Sequence, residues 1–263
     1  MDLATIIGLG LAFFAVFGGF VIEGGHLAAV MQPTAALIVI GGTIGAIFVQ
    51  FTLISLKKTA LGIKDVFLIR KSDPMALVTQ LVAFAQKARR EGVVALESDA
   101  ETATDPFLKK ALGLAVDGSD ARVIREAMEV EMGSLEEESL TGAKVFEAAG
   151  GYSPTLGILG AVLGLIHVMQ NLADPGKLGA GIAVAFVATV YGLVVANVIC
   201  LPMAGKLKSR CETTVKRCEL ILTGVVAIVE GDNPRIIEEK LNGFVGADAA
   251  KAGADVVSMR KAA

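Results

Sequence analysis

Residues 149–205 read AGGYSPTLGILGAVLGLIHVMQNLADPGKLGAGIAVAFVATVYGLVVANVICLPMAG. Two apolar runs stand here, 149–172 and 178–205, joined by a short turn at 173–177. A helix needs roughly 20 apolar residues to cross about 30 Å of hydrocarbon, and each run is long enough. Nearer the start of the chain, residues 3–22 and 33–53 repeat the arrangement. The pattern predicts four transmembrane helices in two hairpins. None of the four runs holds an Asp or a Glu. A membrane protein that handles protons or sodium usually needs an intramembrane carboxylate. Either this chain does no ion chemistry, or another chain supplies the acid.

The composition fits a membrane protein. Hydrophobic residues make up 54% of the chain and the mean hydropathy is +0.65, above the usual range of soluble domains. The first run is expected to be a true span rather than a secretory signal. It follows Met1-Asp2 instead of a basic segment, and a second apolar run comes soon after. A net charge of −3 argues against a nucleic-acid partner. Cys211 and Cys218 are seven apart and share a helix face with no histidine nearby. With Cys200 they read as small, reduced packing residues rather than a metal site.

Basic residues set the expected orientation. Lys57, Lys58, Lys64, Arg70 and Lys71 follow the second run, and Lys206, Lys208 and Arg210 follow the fourth. The turns at 23–32 and 173–177 hold only His26 and Lys177 of the basic kind. Both termini and the region between the hairpins are therefore expected in the cytoplasm, with no room for a periplasmic domain. This divides the chain into a hairpin at 1–53, a cytoplasmic helical domain at 54–148, a second hairpin at 149–205, and C-terminal helices and tail at 206–263.

The polar region reads as helices. Ser72-Asp73-Pro74, Asp105-Pro106 and Asn233-Pro234 each place a capping side chain before a proline at the first helical position, where a missing N–H costs nothing. Leu77, Leu81 and Phe84 have core spacing. Asp120 opens a long helix directed toward the third span. Glu126, Glu129, Glu136, Glu137 and Glu138 give that helix an acidic, solvated face. Residues 246–263 are rich in Ala and Gly and are expected to fray. No strand pattern persists, so the fold class is all-α.

Within the spans, small residues recur. Gly41 and Gly45 are four apart, as are Gly160 and Gly164, and Gly157, Ala161, Ala183 and Ala188 continue the theme. Small side chains let helix backbones approach where no hydrophobic effect drives them together. The contacts they make lie either within one subunit or between subunits. Pro154 and Pro202 stand at matching depth in spans 3 and 4. Each removes a backbone donor and crowds the preceding turn, so together they suggest a paired hinge. His167 is the one acid–base group in span 3. It reads either as a proton relay or as a neutral imidazole reaching the interface or a carbonyl. Thr189 is expected to bond back to its own helix.

These features resemble the flagellar stator A subunit family, MotA/PomA. The segment from Lys87 to Glu97, KARREGVVALE, is similar to the family's basic-residue, Gly, then Ala-Leu-Glu signature. Span 3 from Pro154, PTLGILGAVLG, the turn and start of span 4 from Asp174, DPGKLGAGIA, and the span 4 segment ATVYG from Ala188 match it too. The resemblance runs from Met1 to about residue 240. The span 3–4 pattern is also similar to the ExbB/TolQ energisers, which have a single leading span.

The resemblance implies a mechanism that accommodates the missing acid. Five copies would surround two copies of a MotB-type subunit, whose single span carries an aspartate and whose periplasmic domain grips peptidoglycan. Ions would flow inward past that aspartate across the bacterial inner membrane. The ring would then step around the dimer and push the rotor protein FliG. Arg89 and Glu97 match the family's rotor-contacting charges, with Arg90 in support. If their segment stays helical, Arg89 and Glu97 lie two turns apart, close to one face. Pro154 and Pro202 match the prolines of the ion-driven conformational change, and Thr189 a pore-side threonine. Sodium-type members carry a threonine where this chain has Ala161. A methyl cannot replace a sodium ion's hydration shell, so Ala161 favours H⁺. No other cofactor and no metal is implied, and the chain would be an energy transducer rather than an enzyme. The alternatives are an ExbB/TolQ-like energiser of an outer-membrane partner, a self-contained channel or transporter with only His167 for an ion site, and a passive scaffold.

Overall fold

A computed structural model of the chain describes residues 2–67, 73–170 and 175–245. Arg70 and Lys71 of the basic run, the residues 171–174 and the tail 246–263 lie outside the described residues, as do the side chains of 63–67, 175–177 and 180. Among the described residues every regular element is helical. Four helices among the described residues are long and apolar enough to cross a membrane. The all-α membrane fold expected from the sequence is therefore the one observed.

The first span is helix α1, Leu3–Ile22, with a wider π turn at Phe14–Gly18. A short 3₁₀ turn, Leu27–Val30, precedes α2, residues 33–50, which opens on Pro33 and holds a π turn at Leu37–Gly41. The apolar run extends to residue 53, but the helix ends at Gln50. Phe51 is extended (φ −116°, ψ 149°), and the Thr52 hydroxyl accepts from the Ser55 N–H at 3.3 Å to start a new helix, α3, Leu53–Phe67. Helices α4, Pro74–Glu91, α5, Glu97–Thr102, and α6, Pro106–Val116, follow. Helix α7, Ala121–Gln170, is continuous through the third span. Helix α8, residues 175–229, carries the fourth span and a π turn at Val195–Cys200. Helix α9 is Pro234–Asn242.

The chain forms two compact units, one of Met1–Ile69 with Glu138–Arg210 and one of Arg70–Glu137 with Cys211–Ala263. Two of the boundaries between them fall inside α7 and α8.

In the first unit, helices satisfy their own backbone groups, as a lipid environment requires. The buried Thr43 hydroxyl donates to the Val39 carbonyl of its own helix at 2.6 Å. Large side chains stand exposed along α1 and α2, among them Leu3, Leu11, Phe14, Leu37 and Val49. In water such a surface would drive association, whereas against lipid it is the expected exterior. Ala35 and Val39 of α2 bury against Val187 and Ala188 of α8. Asp2 and Thr5 at the start of α1 bind the Lys206 ammonium, which holds the Asp2 carboxyl below its usual range.

The second unit has an ordinary apolar core. Leu81, Leu96, Leu112, Ile124, Met128, Ile221, Val225, Ile237 and Leu241 are fully buried there. The buried stripe of α4 is Val78, Leu81, Phe84, Ala85 and Ala88, and Leu77 packs only at its edge. The three predicted caps form. Asp73 accepts from the Met75 and Ala76 N–H groups, Asp105 from Phe107 and Leu108, and Asn233 from Arg235. Caps of this kind contribute about 1 kcal/mol each. Asp105 also binds Arg217. Glu126, Glu129, Glu136, Glu137 and Glu138 of α7 are exposed as expected. Glu126 meets Arg122 one turn away at 3.3 Å, and in the first unit Glu138 meets Lys58 at 2.6 Å. All three cysteines are buried free thiols.

Candidate functional site

Helices α7 and α8 cross at close range in the first unit, which explains why glycines recur there. A methyl group added at Gly157 would lie 2.9 Å from the Ala188 carbonyl oxygen and 3.3 Å from the Thr189 and Gly192 Cα atoms. One added at Gly192 would lie 2.5 Å from the Ser153 carbonyl oxygen and 3.1 Å from the Pro154 Cα. Farther along, Gly160 meets Ala188, Gly164 meets Ala185, and Gly181 meets Val168. Gly157, Gly160 and Gly164 of α7 thus pack within the chain. Gly45 of α2 faces open space instead, and Gly41 meets only Leu37 of its own helix.

Pro154 sits at the tight end of this crossing. It supplies no N–H to the carbonyl four residues back, that of Gly150, and a methyl at Gly150 would meet Leu201 of α8 at 2.7 Å. Leu201 directly precedes Pro202. Both prolines therefore border one stretch of the same helix pair. Ser153, fully buried, donates its hydroxyl to the Gly192 carbonyl at 3.2 Å and crosslinks the helices there. Sequence reasoning missed Ser153 and Gly192. Ser153 stands beside Pro154, but which carbonyl it meets depends on helix rotation.

The two prolines are accommodated differently. Helix α7 continues unbroken through Pro154. Ahead of Pro202, α8 widens into the π turn, and the Leu201 N–H bonds to the Ala196 carbonyl five residues back. Asn197 within that turn donates to the Leu193 carbonyl at 3.0 Å. A π turn spaces its hydrogen bonds less well than an α-helix and is common at sites that move.

Thr189 lies on the α7-facing part of α8, and its hydroxyl points back to the Ala185 carbonyl at 3.5 Å, a long contact. Ala161 is half-buried on α7, one turn beyond Gly157. His167 stands exposed near the end of α7. Among the described residues no three His, Cys, Asp or Glu side chains converge as metal ligands. Around Ser153, Gly157 and Gly192 the crossing is lined by backbone and small side chains, and toward its far end the His167 imidazole lies 3.8 Å from where a methyl at Gly181 would stand.

Arg89, Arg90 and Glu97 lie in the second unit. Their segment does not stay helical: α4 ends at Glu91, Gly92 takes φ +87°, a 3₁₀ turn covers Val93–Leu96, and α5 starts at Glu97. Only a residue without Cβ adopts that φ at low cost, so the chain turns a corner there. All three charged residues are exposed, and among the described residues they make no side-chain hydrogen bond or ion pair. The corner is held by Lys87 and Asp99, paired at 2.7 Å with both side chains about a third exposed. It is also held by Leu96, which is fully buried. The geometry leaves Arg89, Arg90 and Glu97 available to a partner on a braced corner rather than along one helix face.

Comparison with known proteins places this geometry among relatives. The profile of the MotA/TolQ/ExbB proton channel family matches residues 99–220, and that of the motility protein A N-terminal region matches residues 6–92. Motility protein A of Bacillus subtilis is 40% identical over 242 residues, spanning 92% of this chain and 90% of that protein. The chemotaxis protein PomA of Vibrio alginolyticus is 34% identical over 245 residues, spanning 93% and 96%. Among solved structures, the flagellar MotAB stator complex from Bacillus subtilis superposes with a TM-score of 0.87 at 39% identity, covering 94% of this chain and 97% of that one. The C. jejuni MotAB structure gives 0.88 at 35% identity with the same coverage.

Proposed function

The chain belongs to the motility protein A family, and from that membership we propose that it is the A subunit of a flagellar motor stator driven by inward proton flow. The observation that carries this reading is the set of four acid-free spans in a chain that matches MotAB stator complexes over nearly its full length. An ion path needs a carboxylate, and a MotB-type partner with one span and a peptidoglycan-binding domain would bring it. Five copies of this chain would surround two of that partner in the bacterial inner membrane. Both termini and the second unit would face the cytoplasm, as the basic residues after spans 2 and 4 favour.

In this reading, protonation of the partner's aspartate removes a charge from a helix interface. A contact with two packing arrangements then shifts from one to the other. The α7–α8 crossing is suited to such a contact. Its backbones touch with almost no intervening side chains, and Pro154 and the π turn before Pro202 lower local helix stability. Ala161 offers no oxygen to a sodium ion, which favours the proton. Arg89, Arg90 and Glu97 would meet the rotor protein FliG, where exposed charges orient a transient contact more than they tighten it. The subunit is a transducer and needs no catalytic group. The match of residues 6–92 to a motility-specific profile favours this reading over an ExbB/TolQ-like energiser.

Purification from native membranes tests the proposal. The expected result is recovery with a single-span protein carrying a membrane aspartate and a peptidoglycan-binding domain, and restored swimming when the pair is expressed in a stator-deficient strain. Recovery instead with a partner that reaches an outer-membrane transporter would overturn it.

A further inference from the structure

The chain has two tyrosines, and both hydroxyls tie α2 to the second hairpin. Tyr152 of α7 donates to the Gln50 side-chain oxygen at 2.9 Å, at the last residue of α2. Tyr191 of α8 acts at the opposite end. Its hydroxyl donates to the Val30 carbonyl at 2.6 Å and accepts from the Gln32 N–H at 3.2 Å. These backbone groups flank the start of α2, where no helical partner exists for them. One hydroxyl satisfies both, using its donor and an acceptor lone pair. The ring packs against the buried cluster of Ala35, Val39, Val187 and Ala188.

The two ties differ in kind. Tyr152 is 38% exposed and reaches a side chain with its own rotamer freedom. Tyr191 is half-buried and grips main chain on both sides of one residue, so it cannot follow α8 in rotation without taking the 30–32 segment along. It also lies between Thr189 and Gly192, which with Ala188 are the α8 residues nearest Gly157 at the crossing. Packing alone would be served by phenylalanine. The hydroxyl adds a fixed distance between the loop end of the first hairpin and the α8 side of the crossing.

We propose that Tyr191 is a positioning residue of the stator: its hydroxyl clamps the Val30–Gln32 segment to α8, so that the first hairpin moves with α8 and holds Thr189 and Gly192 in register with α7 under load. The torque part of this proposal rests on the stator function above, while the clamp itself does not.

The test uses Tyr191→Phe, which keeps the ring and removes both hydrogen bonds, with Tyr152→Phe as comparison, each in the full chain with its partner. Hydrogen–deuterium exchange is followed on peptides covering residues 26–32. Loss of the clamp should speed exchange at Gln32 about five- to tenfold in Y191F and leave it unchanged in Y152F. In cells, Y191F should assemble normally and turn a lightly loaded motor at near-normal speed, but lose about half or more of the torque at high load, where helix register is strained most. Unchanged exchange at Gln32 overturns the clamp. Faster exchange with unchanged high-load torque overturns the positioning role and leaves a purely structural tie. If the unmodified chain drove no motor, the stator reading would fail, and the exchange arm would still decide the clamp.

Discussion

Replacing Gly192 by alanine should separate α7 from α8. The added methyl would sit 2.5 Å from the Ser153 carbonyl oxygen, 3.1 Å from the Pro154 Cα and 3.2 Å from the Gly157 Cα. All three are backbone atoms, so no side chain can swing away. The helices would have to part by about half an ångström or more before the closest contact became tolerable, and dispersion contacts along the crossing would weaken with them. The Ser153 hydroxyl bond to the Gly192 carbonyl, already 3.2 Å long, would stretch as well. Overpacking of this kind costs about 1 to 3 kcal/mol, and the rigid surroundings place Gly192→Ala near the upper end. A buried hydrogen bond adds about 1 kcal/mol if it is lost. Gly133→Ala is the matched control, because a methyl there meets nothing within 4 Å and an exposed helical Gly→Ala change is worth up to about 1 kcal/mol of stability. The assay is thermal unfolding of the purified complex, alongside swimming in a stator-deficient strain. The expected order of stability is Gly133→Ala at or above the unmodified protein and Gly192→Ala clearly below it, with impaired swimming. Equal melting of Gly192→Ala and the unmodified protein, with normal swimming, would refute the close-crossing argument.

Three further outcomes are expected. Reversing charge at Arg89 or Glu97 should reduce torque while membrane level and thermal stability stay within about 0.5 kcal/mol of the unmodified protein, as exposed, unpaired side chains allow; normal torque in both reversals would remove the rotor-contact assignment. Ala161→Thr should retain motility, and rotation of the unmodified motor should collapse with a proton ionophore but persist without sodium; dependence on sodium would reverse the ion assignment. Burial pushes the Cys218 thiol up to about 11, so only about one thiol in a thousand is ionised at pH 8. Maleimide should label Cys218 only after unfolding, and stability drawn from the neutral thiol should hold below pH 9 and decline as pH rises toward 11. Rapid labelling of the native protein would contradict its burial.

Much of the fold was legible because its signals are local. Run length and hydropathy mark the spans, and Asp-Pro and Asn-Pro pairs mark helix starts through contacts only two or three residues long. The resemblance of KARREGVVALE pointed to Arg89, Arg90 and Glu97 without giving their geometry. Gly92 was visible within that segment, yet the helical reading put the charges on one face, whereas its left-handed backbone makes a corner. Leu77 and Val78 illustrate the same limit in the core: apolar spacing identifies a stripe, but adjacent residues compete for its centre until the partner helices are in place.

By itself, the sequence determined the all-helical class and the two acid-free hairpins, because these depend on composition along a single segment. Tertiary structure alone decided that Gly157, Gly160 and Gly164 face α8, that Gly45 faces open space, that Ser153 bonds to Gly192, and that Tyr191 reaches Val30 and Gln32. In a membrane helix nearly every face is apolar, so hydrophobic periodicity carries little directional information. Small residues mark a face able to pack closely, and only the neighbouring backbone determines what it packs against.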